Sequence, residues 1–172
     1  MLILLPAIPE KRSFWRPGVA FSIRRDDAEI GRIDISGAPK RDGDGKIRLG
    51  DRVFEGRIHV TGRARLAHVP SNWVMSEGGT ALHAAVWESG KVFALEEADG
   101  LRLRRQGFYA SFVLERASEA EPLGTITWVR GRLLPKPESP RIELATRVAL
   151  PETLEVFLLW IAAQDEFRNS SG

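Results

Sequence analysis

The chain has 172 residues, 43% hydrophobic and 28% charged, with a formal net charge of +2. That length suits one domain with a sizeable core, and the balance excludes a disordered chain or a strongly basic nucleic-acid binder. Cysteine is absent, which removes disulfides and thiolate metal sites.

The first residues, "MLILLPAIPEKR", are apolar but too short for a signal-peptide core and lack the basic residues that precede one. Nothing approaches the roughly 18 apolar residues of a membrane span. A cytoplasmic protein is the expectation, peripheral to a membrane if it meets one.

Most of the chain then alternates with period two. "VAFSIRR" sets Val19, Phe21 and Ile23 on one face. "AEIGRIDIS" carries Ile30, then Ile33 and Ile35, so the alternation slips and Gly31 marks an expected bulge. "RDGDGKIRLGD" reads as a hairpin loop. Its acids resemble a calcium loop, but the twelfth position from Asp42 is Val53, where such a loop needs a bidentate acid. "RVFEGRIHVTG" turns Ile58 and Val60 inward and Arg57 and His59 outward. Gly78-Gly79, Ser89-Gly90 and Asp99-Gly100 punctuate the strands that follow, and the first and last suit tight hairpins. "FYASFVLER" aligns Phe108, Ala110, Phe112 and Leu114; "LGTITWVRGRLL" and, after three prolines, "RIELATRV" complete the pattern.

The last element differs. Pro151 suits a first helical position, and Glu152 and Glu155 suit the positive end of a helix dipole. Val156 to Ala163 are then apolar without interruption. A helix apolar all round belongs inside a core. An open sheet covers one side of it, whereas a closed barrel covers every side. The expected fold is therefore mainly β: one domain over residues 1–172, a closed antiparallel barrel of about 10–12 strands, with a hydrophobic C-terminal helix at about 151–167 threaded through its lumen.

"FYASFVLER", "LGTITWVRG" and "IELATRVALPETLEVFLLWIAAQDEFR" together resemble the small bacterial members of the tubby C-terminal-like superfamily. That group includes tubby proteins, phospholipid scramblases and the LURP-one-related proteins. The resemblance lies in a strand pair around a Leu-Gly turn, a short strand, and Leu-Pro leading into an apolar helix. It implies the barrel with its helix, and it implies contact with lipid, since tubby proteins bind phosphoinositides through basic residues on the barrel.

Reactive chemistry is scarce. His59, His68 and His83 stand alone, without metal-ligand spacing, and read as solvated or hydrogen-bonded residues. No nucleophile elbow, P-loop or dinucleotide fingerprint occurs. Carboxylates at Glu96, Glu97 and Asp99, and at Glu115, Glu119 and Glu121, fall at strand ends and turns, where they read as solvated. No enzyme, cofactor or metal is expected.

The positive charge is mostly arginine; Lys11, Lys40, Lys46, Lys91 and Lys136 are the only lysines. Arginine grips phosphate and carboxylate bidentately. Alternation in "GLRLRRQG" puts Arg102 and Arg104 opposite Leu101 and Leu103. Arg130 and Arg132 share a face and precede Leu133, Leu134 and Lys136; "GRARLAH" adds Arg63 and Arg65. These cations read either as the wet faces of barrel strands or as a surface for anionic lipid or another polyanion. Arg102, Arg104, Arg130, Arg132 and Lys136 are the candidate anion-binding residues. The alternative is a protein-interaction module that docks a partner on a barrel edge or on the apolar N-terminal arm. Nucleic acid is not expected, because acids nearly balance bases and no aromatic–basic stripe appears.

Overall fold

Alternating apolar residues pair into antiparallel strands with the apolar face inward, and the computed structural model has twelve of them in a closed barrel. The structure describes residues 1–7, 18–36, 44–60, 71–88, 92–96, 100–106, 111–129 and 141–170. The first six strands are β1 (Leu2–Ala7), β2 (Val19–Arg25), β3 (Ala28–Ser36), β4 (Asp44–Leu49), β5 (Arg52–Val60) and β6 (Ser71–Glu77). The second six are β7 (Thr80–Glu88), β8 (Val92–Leu95), β9 (Leu101–Gln106), β10 (Ser111–Arg116), β11 (Gly124–Val129) and β12 (Arg141–Thr146). One helix, α1 (Glu152–Ser170), follows. Each strand pairs with its chain neighbours, and β1 pairs with β12 to close the sheet.

Closure corrects one expectation. "LILLPA" is no arm: it is β1, paired with β12 on one side and β2 on the other, with Leu2 and Leu4 in the core. The barrel likewise has no unpaired edge strand, because β1 and β12 pair with each other.

The turns follow local chemistry. Gly78 and Gly79 join β6 to β7 with φ of 56° and 86°. Asp26 and Asp27 do the same between β2 and β3 at 48° and 67°, a conformation aspartate tolerates. The bulge at Gly31 is present as a register slip opposite Ile23 and Arg24 that leaves Ile30 as the extra residue. Asp44, Gly45 and Lys46, expected in a hairpin loop, are instead the start of β4, and the turn lies at Gly50 and Asp51. Residues 41–43 of that expected loop, and Phe108 and Ala110 of the expected long strand, lie outside the described residues.

Pro151 caps α1 rather than opening it. Its carbonyl accepts the N–H groups of Leu154 at 2.9 Å and Glu155 at 3.1 Å. Every residue from Val156 to Ala163 is 0% exposed, in one core cluster with inward residues of the strands. The largest of them, Trp160, explains two glycines. Gly45 and Gly56 face each other across β4 and β5. A Cβ on Gly45 would lie 2.4 Å from the Trp160 indole nitrogen, and one on Gly56 would lie 2.5 Å from its ring. The pair is a notch cut for the indole, whose other sides meet Trp73 at 5.5 Å and Phe157 at 5.9 Å between ring centroids.

Trp160→Ala should therefore cost about 3–5 kcal/mol through cavity formation, and Gly56→Ala about 1–3 kcal/mol through overpacking. The two should not add, because the first empties the space the second needs. Urea denaturation of both single variants and the double variant measures the coupling. An additive pair would mean that the indole does not occupy the glycine notch.

Candidate functional site

The outer face of β9 is where the sequence places its cations. Leu101 and Leu103 are 1% and 0% exposed, and Arg102 and Arg104 occupy the opposite face as alternation requires. The two arginines differ in company. Arg104 grips Glu115 on β10 with two prongs, Nε to Oε1 at 3.0 Å and Nη2 to Oε2 at 3.0 Å. That grip lowers the Glu115 carboxyl below its ordinary range and raises the Arg104 guanidinium. Arg102 stands directly across from Glu115 in the strand register, and its guanidinium is 4.0 Å from Glu88. Its side chain is half exposed. The face is thus a lattice of arginines and acids rather than a bare cationic stripe. Arg130, Arg132 and Lys136, with Arg63 and Arg65, lie outside the described residues.

The second group of carboxylates also departs from expectation. Glu115 holds Arg104, Glu119 holds Arg116 at 2.7 Å, and Glu121 pairs with Arg147. Strand ends bring these groups beside cations, so they are paired rather than simply solvated. Glu97 and Asp99 lie outside the described residues. His59 is exposed on the outer face of β5. His83 is half-buried on β7: its Nε2 is 2.9 Å from the Thr153 hydroxyl, and its ring stacks on Phe157 at 5.7 Å. His68 is outside the described residues.

Charged residues at inward positions form a further set, which sequence reasoning passed over. Arg25, Arg52, Arg105 and Arg116 each continue the inward parity of a strand (Ile23 then Arg25, Leu103 then Arg105) and each sits at a strand end. Three of them mark the rim near the start of α1. Arg25 donates to Glu152 at 2.8 Å and to Glu155, both in the first turn of α1. Arg52 clasps Glu77 at 2.8 and 2.7 Å, and its guanidinium lies 4.8 Å from the Phe54 ring centre. Arg105, at the far end of β9, lies 3.4 Å from Asp165 late in α1. The available signal was a charge on inward parity at one end of an alternating run.

Burial decides the state of Glu155. Desolvation raises its carboxyl above the ordinary 4.5, against the opposing pull of Arg25. Among the described residues no group of three histidine, aspartate or glutamate side chains is placed to hold a metal ion. Among the described residues no helix is long and apolar enough to cross a membrane. The chain matches no family model, no curated protein and no solved structure.

The raised carboxyl has a definite sign. The folded state holds a proton on Glu155 at pH values where the unfolded chain has lost it, so this group's contribution to stability declines as pH rises above 4.5. Glu77 and Glu115 are lowered and act oppositely: their contribution is full above 4.5 and lost as pH falls below it. In Glu155→Gln the decline above pH 4.5 should vanish while the acid-side loss remains. Denaturation series between pH 3 and 8 on both proteins check this. An unchanged difference between them across that range would contradict it.

Proposed function

We propose that this protein is a non-enzymatic binding module of the tubby-like kind, with its lumen filled by its own C-terminal helix. Its outer β9 face and the 130–136 segment then meet anionic lipid headgroups. The filled lumen is supported by the contacts at the two ends of α1. β2 and β9 run in opposite directions, so the Arg25–Glu155 and Arg105–Asp165 contacts mark opposite rims. The helix rises about 15 Å between those two acids. A six-residue strand tilted as barrel strands are spans roughly 15 Å along the axis. A lumen so occupied leaves no lipocalin-like pocket, and binding moves to the outside.

The observation that carries the lipid reading is Arg102. It is half exposed on the outer face, and its ion pair with Glu88, at 4.0 Å, is at the limit of direct contact. A phosphate-bearing headgroup would offer a closer, charge-assisted partner. Arg104 supports it from the same strand once a headgroup competes with Glu115. Arg130, Arg132 and Lys136 would extend the surface, each basic residue near an anionic membrane adding about 1 kcal/mol.

Liposome co-sedimentation tests this. Vesicles containing phosphatidylserine should pull the protein down at low salt, less so at physiological salt, and neutral phosphatidylcholine vesicles should not. Arg102→Glu should weaken binding by roughly tenfold, since it both removes a cation and adds an anion. Absence of binding to either vesicle, or equal binding by the variant, would overturn the reading.

A further inference from the structure

Glu115 on β10 stands beside both outward cations of β9. In the strand register it lies directly across from Arg102, yet its carboxylate is held diagonally by Arg104, which donates to each oxygen at 3.0 Å. Arg104 hydrogen-bonds it and Arg102 adds its charge, and both act to lower the Glu115 carboxyl below its ordinary range. On the β11 side the outward neighbour is Thr125, opposite Val113, which brings no charge. The next acid on the face, Glu88 on β7, lies beside Arg102.

The sheet does not need this ion pair. β9 and β10 are already joined over six register positions, with Leu103, Phe112 and Leu114 in the core beneath. A pair as exposed as this one adds little net stability in water. Its larger effect falls on what else can reach Arg104. The guanidinium edge that would grip a phosphate with two parallel hydrogen bonds is already occupied by Glu115.

We infer that Glu115 is a built-in competitor that holds Arg104 back from anionic lipid. It thereby sets how much surface charge a membrane must carry before the β9 face engages. This rests on the lipid reading above and concerns the control of that same face. A single anion trades one charge-assisted pair for another and gains little. A dense anionic surface acts on Arg102 and Arg104 together and supplies many acceptors at once, so it displaces the carboxylate. The coupling runs both ways: lipid that draws Arg104 away removes the cation beside Glu115, so bound lipid raises the Glu115 carboxyl.

Co-sedimentation with phosphatidylcholine vesicles of graded phosphatidylserine content tests this. Glu115→Gln keeps the shape of the side chain and frees Arg104. It should bind about fivefold tighter, the effect of one added cation at the surface, and need less phosphatidylserine for half-binding. Glu55→Gln removes an equal charge beside Arg57 on β5, four strands from β9, and should gain clearly less. In an Arg104→Gln background the gain from Glu115→Gln should fall to the Glu55→Gln level. Wild-type binding with Glu115→Gln no tighter than Glu55→Gln overturns the inference and leaves the lipid reading standing. Failure of both the wild type and Glu115→Gln to pellet removes the two together. If Glu115→Gln fails to fold, carbon-13 carboxyl titration of the wild type decides, with and without bicelles containing phosphatidylglycerol, whose headgroup has no carboxyl. The Glu115 midpoint should rise with the lipid beyond any change at Glu55, and a midpoint that moves no more than that of Glu55 overturns the inference.

Discussion

The constraint on which the rest depends is the helix run from Val156 to Ala163, which has no polar side and is fully buried. Such a run is stable only where apolar atoms meet it from every direction. Trp160 shows how far the walls accommodate it. Its indole nitrogen is buried without an acceptor, at a cost of about 1–3 kcal/mol. Burial of a tryptophan removes about 150–250 Å² from water, worth roughly 4–6 kcal/mol. Burial wins, provided the ring fits, and Gly45 and Gly56 make room for it. Any side chain at either position would reclaim that room, so the composition of β4 and β5 follows from a residue more than a hundred positions later.

The ionic contacts at the two ends of α1 do a different kind of work. Exposed pairs such as Arg52–Glu77 contribute little net stability in water. Glu155 is held uphill by its own burial. Removing a half-buried carboxylate from its cation would nevertheless leave a charge with nowhere to go. These pairs therefore discriminate between registers of the helix more than they add to its stability. A shift of α1 by one residue would rotate Glu155 and Asp165 away from Arg25 and Arg105 together, whereas the uniformly apolar run between them has no register preference of its own.

The alternation of Val19, Phe21 and Ile23, of Ile142 and Leu144, and of Leu101 and Leu103 made the strands legible, because a one-residue slip would expose every one of them. The apolar helix then implied a closed sheet, since no open one would cover it. Two things stayed hidden for physical reasons. Glycine has no side chain and so no periodicity, and Gly45 and Gly56 read as turn punctuation until Trp160 explained them. Charges at inward positions look like errors in an alternating pattern, and only the ion pairs of Arg25 with Glu155 and of Arg105 with Asp165 show why they belong there. Arg102 and Arg104 were placed on the correct face, but their pairing with Glu88, two strands away on β7, and with Glu115 on β10 depends on a cross-strand register that alternation does not specify.

That pairing shapes how the outer face can bind. On β9 every described cation already has an acid beside it, so an incoming anion gains only what exceeds the ion pair it displaces. The two-pronged Arg104–Glu115 pair is that competitor, and a surface carrying many phosphates at once is the kind of partner that prevails over it.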